Sequence, residues 1–492
     1  MPTDSILDLH VENSFAGLPP AFYSRVPAQP LAAPRLLHAN ADVAALLGLS
    51  ETALDSPDFL DVCAGNRPLR GGQTLSAVYS GHQFGVWAGQ LGDGRAHLLG
   101  EVMAPSGALE LQLKGSGHTP YSRMGDGRAV VRSSVREYLA GEAMAGLGIP
   151  TTRALALVVS DDPVYRETVE TAAIITRVAP SFVRFGSFEH WWNQPDNMRV
   201  LLDYVIDRFY PECRVDEAGK PCSFADAALR FLETVVARTA DLMAAWLTVG
   251  FCHGVMNTDN MSILGLTLDY GPYGFMDGFQ ANHICNHTDT QGRYAWNAQP
   301  SVANWNLHRL ANCLMALSLD PEALKARLAQ FEPAFMRAYQ TRMAAKFGLS
   351  AWVEGDETLV DGWWGLLHAQ RADFTLCFRR LARVEEDAEP FLSLFGERQP
   401  ARDWLEEYRR RLEADALPDH ERAERMDRVN PIYVLRNHLA ELAIRGAQKG
   451  DAGEIRTLLA LLRDPCTEVE GFDDYAAPAP EWACSLEVSC SS

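Results

Sequence analysis

The sequence lacks closely spaced cysteines, a charge-free apolar segment of membrane length, and an excess of basic residues. Ten cysteines occur among 492 residues, but no CxxC pair is present, which disfavours zinc sites and thioredoxin-like redox motifs. The most apolar long stretch, residues 227–252, is interrupted by four charged residues, so it predicts the helix of a soluble protein and no membrane partner. The net charge is −20, from 44 basic and 64 acidic residues, which disfavours a nucleic-acid partner because phosphates require clustered lysine and arginine.

The N-terminal segment MPTDSILDLHVENSF carries acidic residues and has no basic region followed by a long apolar stretch. It therefore resembles neither a secretory signal nor an arginine-rich transit peptide. The scattered cysteines are typical of reduced thiols in core positions. Together these features predict a cytoplasmic protein.

The secondary-structure pattern changes once along the chain. Residues 71–190 are rich in glycine and in short alternating runs, which predicts strands joined by tight turns. From about residue 222 onward, apolar residues recur at helical spacing. Continuous helices are predicted within 227–252, and at 303–318, 321–346, 366–383, 401–414, 430–447 and 453–463.

This order of elements predicts an α+β fold with two lobes. Residues 1–70 form an extension that wraps the core, and residues 71–190 form a strand-rich lobe. Residues 191–475 form a mostly helical lobe, and residues 476–492 form a C-terminal tail.

Two Gly-Asp-Gly-Arg turns flank a strand that ends in a lysine. The first turn, residues 92–95, lies between apolar runs and is predicted as a hairpin tip, and the second occupies residues 125–128. Between them, the alternating residues 109–114 predict a half-buried strand ending in Lys114. Each turn alone is more often structural, but two turns around one lysine suggest backbone amides and arginines that converge on a polyanion.

Three charged residues have two interpretations each. Glu137 fits a capping box with Ser134, but it also fits the strand-lysine to helix-glutamate ion pair of protein kinases. Arg177 and Arg184 lie among apolar residues, where an arginine needs an anionic partner. That partner is either a carboxylate in a buried salt bridge or the phosphates of a nucleotide.

The strongest functional pattern runs from His253 to Asp269. A helix, a histidine-led loop ending in asparagine, a short apolar strand and an Asp-aromatic-Gly triplet follow one another, as in protein-kinase catalytic loops. The amide oxygen of Asn260 and the carboxylate of Asp269 would together hold a hard cation that bridges nucleotide phosphates. A helix-to-strand turn capped by the same two residues is the structural alternative.

One residue departs from the kinase pattern. The catalytic aspartate of kinases stands two residues after the histidine, but Val255 occupies that position and cannot accept a proton. Asp259, adjacent to Asn260, is the nearest replacement. The loop therefore indicates either an inactive kinase or a different transfer geometry.

These motifs resemble those of the selenoprotein O family, kinase-fold proteins that transfer AMP to other proteins. The resemblance implies a protein-kinase-like fold with additional N- and C-terminal extensions and a nucleotide-binding N-lobe. It also implies that ATP binds in a flipped orientation, so that AMP passes to Ser, Thr or Tyr hydroxyls of client proteins, the protein itself included, and pyrophosphate leaves. The matching stretches are residues 79–85, 90–95, 111–115, 126–134, 253–269, 430–431 and 435–438.

The resemblance also implies roles for individual residues. Asp259 resembles the proton acceptor, and Glu137 resembles the ion-pair partner of Lys114. The ligands of Mg²⁺, or of Mn²⁺ in its place, would be Asn260 and Asp269. Nucleotide contacts are implied for Gly92, Gly94, Arg95, Lys114, Asp126, Gly127, Arg177, Arg184 and Asp269.

Cys490 stands third from the chain end, where a core role is not expected. Eukaryotic members of the family end in selenocysteine-Ser-Ser, and bacterial members are expected to end as this chain does, in Cys-Ser-Ser. We predict a redox role for Cys490 through a disulfide to Cys285, which lies just past the Asp269 loop.

Three other functions compete with AMP transfer. The first is a kinase-like phosphotransferase that moves the γ-phosphate of ATP. The second is a non-catalytic nucleotide-binding scaffold, which would not need a complete metal site. The third is a thiol redox protein acting through Cys490, which leaves the charged residues of the cleft unexplained.

Overall fold

The computed structural model describes residues 2–415, 417–486 and 488, which form a mixed α/β structure with one large antiparallel sheet and many helices. The strands are β1 Val11–Glu12, β2 Tyr23–Arg25, β3 Arg35–Ala39, β4 Leu75–Ala77, β5 Ser80–Gln83, β6 Val86–Gln90, β7 Ala96–Ala104, β8 Gly107–Lys114, β9 Ala129–Val130, β10 Arg153–Tyr165, β11 Val169–Ala179, β12 Phe251–Cys252 and β13 Gly274–Phe275.

The helices follow mainly after the sheet. They are α1 Ala41–Leu46, α2 Glu51–Leu54, α3 Pro57–Cys63, α4 Val131–Gly146, α5 Phe185–Glu189, α6 Pro195–Phe209, α7 Phe224–Thr248, α8 Gln299–Leu314, α9 Pro321–Leu328, α10 Phe331–Lys346, α11 Asp356–Gln370, α12 Phe374–Leu381, α13 Glu389–Leu392, α14 Arg398–Glu413, α15 Asp419–Val429, α16 Asn437–Ala447, α17 Gly453–Arg463 and α18 Asp473–Ala476. No helix in these described ranges is long and apolar enough to cross a membrane.

The large sheet has nine strands within the described residues, in the order β2-β4-β7-β8-β11-β10-β3, with β1 added to β7 and β9 added to β11. The two end strands, β2 and β3, both come from the first 70 residues. That segment therefore borders the sheet on both sides.

The alternation of side chains in β8 gives the sheet two different faces. Leu111 and Leu113 are buried in the same apolar cluster as Phe59 of α3. Gln112 and Lys114 point to the opposite face, where Gln112 lies across from Arg177 of β11 in the strand register. The polar residues of the predicted site thus share one face of the sheet.

Helix α7 leads the chain to the predicted catalytic loop. Ser223 caps its N-terminus by accepting a hydrogen bond from the backbone N–H of Asp226, and its apolar face packs against α8, α9 and α10. Gly250 then adopts a φ of +70°, which turns the chain into β12. The loop that begins at His253 is therefore anchored by a long buried helix.

Several predicted helix boundaries were wrong. The helix predicted at 366–383 is broken at Arg371, whose φ is +48°, and α12 restarts where the side chain of Asp373 accepts a hydrogen bond from Leu376 N. The helix predicted from 430 begins only at Asn437, because Asn430 is buried and donates to Lys346 O. The helix predicted at 321–346 is divided into α9 and α10, which both pack on α7.

The turn at residues 92–95 is not a hairpin tip. The strand before it, β6, pairs with β5, whereas the strand after it, β7, belongs to the large sheet. The segment therefore connects two sheets. The hairpin of this region lies earlier, at β5 and β6, around a turn formed by Phe84 and Gly85.

Candidate active site

A cavity of about 790 Å³ brings together residues from the sheet and from the loops that follow α7. Twelve of the predicted site residues line it: Gly92, Gly94, Arg95, Lys114, Asp126, Gly127, Glu137, Arg177, Arg184, Asp259, Asn260 and Asp269. Cys285 does not line this cavity, and Cys490 lies outside the described residues.

Asp269 is the centre of an ionic cluster in this cavity. Its Oδ1 lies 2.9 Å from Lys114 Nζ and 2.5 Å from Arg177 Nη1, and its Oδ2 lies 3.1 Å from Arg184 Nη1. Burial alone would raise the pKa of Asp269, but the three positive charges outweigh it and hold the pKa well below its usual value. Asp269 is therefore a permanent anion surrounded by cations.

Glu137 is the second anion of the cluster. Its Oε2 lies 2.6 Å from Lys114 Nζ, and its Oε1 lies 3.1 Å from Arg177 Nη1. The capping box with Ser134 does not form, because α4 begins earlier, at Val131, and its N-cap makes no side-chain hydrogen bond. Glu137 therefore lies inside the helix and points at the sheet.

The two arginines of the cluster are held from several sides. Arg177 also donates to Gln112 Oε1, its cross-strand neighbour. Arg184 Nη1 donates to the backbone oxygen of Asp259 at 2.7 Å, and its guanidinium lies 4.6 Å from the ring centroid of Tyr79. Only 2% of each arginine is exposed, so both charges lie deep in the cavity.

The first glycine turn packs closely against the loop that carries the second. A Cβ added to Gly92, whose φ is +144°, would lie 2.5 Å from Tyr121 Cγ. The carboxylate of Asp93 anchors this turn by accepting hydrogen bonds from Ala77 N and Gln112 Nε2. The glycines are thus required for packing, whatever else they contact.

The second turn lies at the rim of the cavity. Asp126 forms a salt bridge with Arg166, with an Nη1 to Oδ2 distance of 2.7 Å, and accepts a hydrogen bond from the backbone N–H of Arg128. A Cβ at Gly127 would lie 2.2 Å from the backbone of Gly117. This turn is more exposed than the Asp269 cluster, and the side chain of Met124 is fully exposed beside it.

Asp259 lies in the same cavity but in a different environment. It belongs to the short 3₁₀ turn Thr258–Asn260 and is 9% exposed. Its Oδ2 accepts a hydrogen bond of 3.4 Å from Gln83 Nε2, while its Oδ1 is buried and has no hydrogen-bond partner among the described residues. Burial raises the pKa of Asp259 to about 6, although Arg184 opposes the shift.

The residues of the cavity fit a divalent cation whose remaining ligands are phosphate oxygens of the substrate. Asn260 donates from Nδ2 to Val255 O at 2.9 Å, so its amide oxygen remains for a cation, and the carboxylate of Asp269 lines the same cavity. In the part of the chain that the structure describes, no group of three or more His, Cys, Asp or Glu side chains could hold a metal alone. A hard cation bound by an amide, a carboxylate and phosphate oxygens satisfies both observations.

A polar network that supports the Asp259 turn was not predicted. Glu189 Oε1 lies 2.6 Å from His82 Nδ1, and its Oε2 accepts a hydrogen bond from the hydroxyl of Thr258. The same hydroxyl accepts a hydrogen bond of 2.8 Å from His82 N. Residues 79–85 are among the stretches that resemble the family, but no role was predicted for His82, and only the fold shows that it supports the Asp259 turn.

The thiol of Cys285 donates to Pro272 O at 3.0 Å and to Cys252 O at 3.3 Å, and it is free within the described residues. Nearby, His287 Nδ1 lies 3.1 Å from the backbone oxygen of Val488. The C-terminal segment therefore reaches the neighbourhood of Cys285, but the disulfide with Cys490 stays a prediction.

Known proteins are similar to this chain over nearly its whole length. The family described as protein adenylyltransferase SelO matches residues 5–463. A protein nucleotidyltransferase YdiU of Bordetella petrii is 65% identical and covers 100% of both chains. Proteins of the same name from Ralstonia nicotianae and Dechloromonas aromatica are 53% and 52% identical, over 98% of this chain and 96% and 97% of their own.

Proposed function

The chain belongs to the family of the protein adenylyltransferase SelO, and on this premise we propose that it transfers AMP from ATP to hydroxyl groups of client proteins in the bacterial cytoplasm. It is an enzyme, a protein nucleotidyltransferase, with ATP and proteins as substrates. The observation that carries the chemical proposal is the presence of two contrasting carboxylates, Asp259 and Asp269, in one cavity. One is suited to accept a proton and the other to remain an anion.

The architecture that we propose is protein-kinase-like. Residues 71–190 would form the nucleotide-binding lobe, residues 191–475 the helical lobe, and residues 1–70 and 476–492 the two extensions. In support, β7, β8 and β11 line the cavity from one side, and the loops after α7 line it from the other.

ATP is proposed to bind with its phosphates deepest. Lys114, Arg177 and Arg184 are buried at the inner end of the cavity, where they would hold the pyrophosphate portion. The exposed rim would receive the adenosine, near Gly92, Gly94, Arg95, Asp126 and Gly127. This flipped orientation puts the α-phosphorus, rather than the γ-phosphorus, toward the acceptor.

Transfer would then begin at the acceptor hydroxyl. Asp259 accepts the proton as the hydroxyl oxygen forms a bond to the α-phosphorus. The bond between the α-phosphorus and the bridging oxygen breaks, and pyrophosphate leaves with that electron pair. Lys114, Arg177 and Arg184 stabilise the departing negative charge, so most of the catalysis is positioning and electrostatics.

Asn260 and Asp269 are proposed to hold Mg²⁺ or Mn²⁺. When bound, a divalent cation supplies charge neutralisation at the phosphates. Asp269 is now engaged by three cationic side chains. The phosphates would replace Asp269 as partners of these side chains, which leaves its oxygens available.

The position of the label that enters protein tests the proposal. We expect incubation with ATP labelled at the α-phosphate to label the chain or an added client, with an AMP-sized increase in intact mass. Label from the γ-phosphate, with a phosphate-sized increase, would identify a phosphotransferase instead. ATP binding without either label would identify a scaffold.

A further inference from the structure

A hairpin beside Asp259 presents aromatic side chains to solvent. In the β5–β6 hairpin, Gln83 pairs with Val86, so the turn consists of Phe84 and Gly85 alone. Their φ angles are +51° and +80°, a two-residue turn in which asparagine and glycine are the favoured residues. A bulky aromatic residue is costly at the first position. Phe84 is nevertheless there, and its side chain is half-exposed at the rim of the active-site cavity.

Behind the hairpin is a second cavity of about 270 Å³. Its wall includes Trp87 and Trp192, which are 44% and 57% exposed, together with Arg309 of α8. Small-molecule sites usually measure roughly 300–1,000 Å³, so this cavity fits one large side chain better than a cofactor. Exposed tryptophans around a pocket are typical of protein-binding surfaces.

The cavity wall carries one arginine, Arg309, and one carboxylate, Glu189, which is buried and contacts His82. Arg293 and Arg309 lie 4.8 and 4.9 Å from the ring centroid of Trp305. Neither forms a salt bridge with a carboxylate of the described residues, and Arg309 Nε is buried without a hydrogen-bond partner there. Of the two arginines, Arg309 lines the cavity, and it therefore favours an acidic group on whatever binds there.

The second cavity is connected to the proposed proton acceptor by direct contacts. Its wall contains His82 and Glu189, which both form a hydrogen bond with the hydroxyl of Thr258. These bonds stabilise the turn that carries Asp259, the next residue. The other side of the same hairpin contributes Gln83, whose side chain contacts Asp259. One hairpin thus borders both the site of transfer and the aromatic cavity.

We propose that this surface, formed by the β5–β6 hairpin, Trp192 and Arg309, binds the client polypeptide next to its acceptor hydroxyl. The occupant is an extended client segment that places a large apolar side chain between Trp87 and Trp192 and an acidic side chain against Arg309. The proposal rests on the proposed function, since it assigns the client segment for the same transfer. The aromatic cavity selects the apolar side chain of the client segment, and Arg309 selects its acidic side chain.

The test is an oriented peptide library with one fixed tyrosine, threonine or serine and randomised flanks, labelled with α-labelled ATP. We expect the native chain to select apolar and acidic flanking residues. Trp192→Ala should lower labelling of apolar-flanked peptides by about tenfold, and Arg309→Glu should lower labelling of acidic peptides by a similar factor. The matched controls are Trp482→Ala and Arg337→Glu, which change an exposed tryptophan and an exposed arginine on other elements.

Thermal denaturation with and without ATP verifies that each variant is folded and binds nucleotide, and Arg309→Gln replaces a variant that does not fold. Native flank selection in both variants, or no selection by the native chain, would overturn the proposal. So would a native dimer that Trp192→Ala converts to a monomer, because the surface would then bind a second copy. ATP binding without labelling of any peptide or protein would overturn the proposed function as well, and it is distinguishable from labelling without selection.

Discussion

The two carboxylates of the cavity lie in opposite electrostatic environments. Asp269 is contacted by three cationic side chains, which hold its pKa well below its usual value despite burial. Asp259 has an unpartnered oxygen among the described residues, and burial raises its pKa to about 6. Asp269 is therefore part of an ionic cluster and stays ionised, whereas Asp259 can gain or lose a proton near neutral pH.

Asp269→Asn should have the largest effect, because it leaves Lys114 and Arg177 with Glu137 alone and removes the salt-bridge partner of Arg184 among the described residues. We expect a loss of about 3–5 kcal/mol in the free energy of unfolding and at least a roughly 10³-fold loss of AMP transfer. Urea denaturation and α-label incorporation measure the two effects. The control is Asp126→Asn, whose salt bridge with Arg166 is more exposed and should contribute about 1 kcal/mol or less. Native stability in Asp269→Asn would refute the cluster as a structural unit.

Asp259→Asn should distinguish the role of Asp259 in proton transfer from the role of Asp269 in the ionic cluster. We expect the rate of transfer to fall by about 10²–10⁴-fold, because the amide cannot accept the proton, while the dissociation constant of ATP stays close to native. The free energy of unfolding should stay the same or rise, since an unpartnered buried carboxylate is replaced by a neutral group. Single-turnover labelling, calorimetric ATP titration and urea denaturation give the three values. Unchanged labelling would remove Asp259 from the reaction.

The pH profile should sharpen the same comparison with no substitution. In the proposed reaction only ionised Asp259 accepts a proton, so the rate should fall about tenfold per pH unit below the pKa of about 6 and level off above it. Asp269 should cause no change in rate over this pH range, because its pKa lies well below its usual value. The measurement is kcat/KM between about pH 5 and 8, because this ratio reports the pKa values of the chain before ATP binds. In Asp259→Asn the acidic limb should vanish, and a limb that persists would have another origin.

Cys285→Ser should have the smallest effect, because its side chain lies outside the cavity. Under reducing conditions we expect a change of about 0.5 kcal/mol or less in the free energy of unfolding. Under oxidising conditions the native chain should yield a cross-linked peptide containing Cys285 and Cys490, which mass mapping detects. The variant should yield none. An unmodified Cys490 thiol in the oxidised native chain would contradict the disulfide.

Much of the site could be predicted because its residues stand in compact motifs. The spacing of Asn260 and Asp269 around an apolar segment, and the alternation that ends in Lys114, are local signals. The coarse change from strands to helices was also predicted, and the described residues contain a large sheet followed mainly by helices. Helix interruptions were missed at Arg371 and Asn430, where buried hydrogen bonds or a positive φ override the helical period.

Other features depended on contacts between distant segments. The apolar runs on either side of residues 92–95 look the same whether they pair with each other or belong to different sheets, so the hairpin prediction was wrong. For Glu137, both the cap and the ion pair fit the local residues, and the start of α4 at Val131 excludes the cap. The support of Thr258 by Glu189 joins residues 69 positions apart.

The amino-acid sequence by itself determined which chemical groups are available to the cavity, because residue types and short spacings are set by the covalent chain. Only the tertiary structure decided their electrostatic state. The pKa of a carboxylate depends on the water removed from it and on the charges placed within a few ångströms, and those charges come here from β8, β11 and the segment after it. Two aspartates ten positions apart therefore acquire opposite properties.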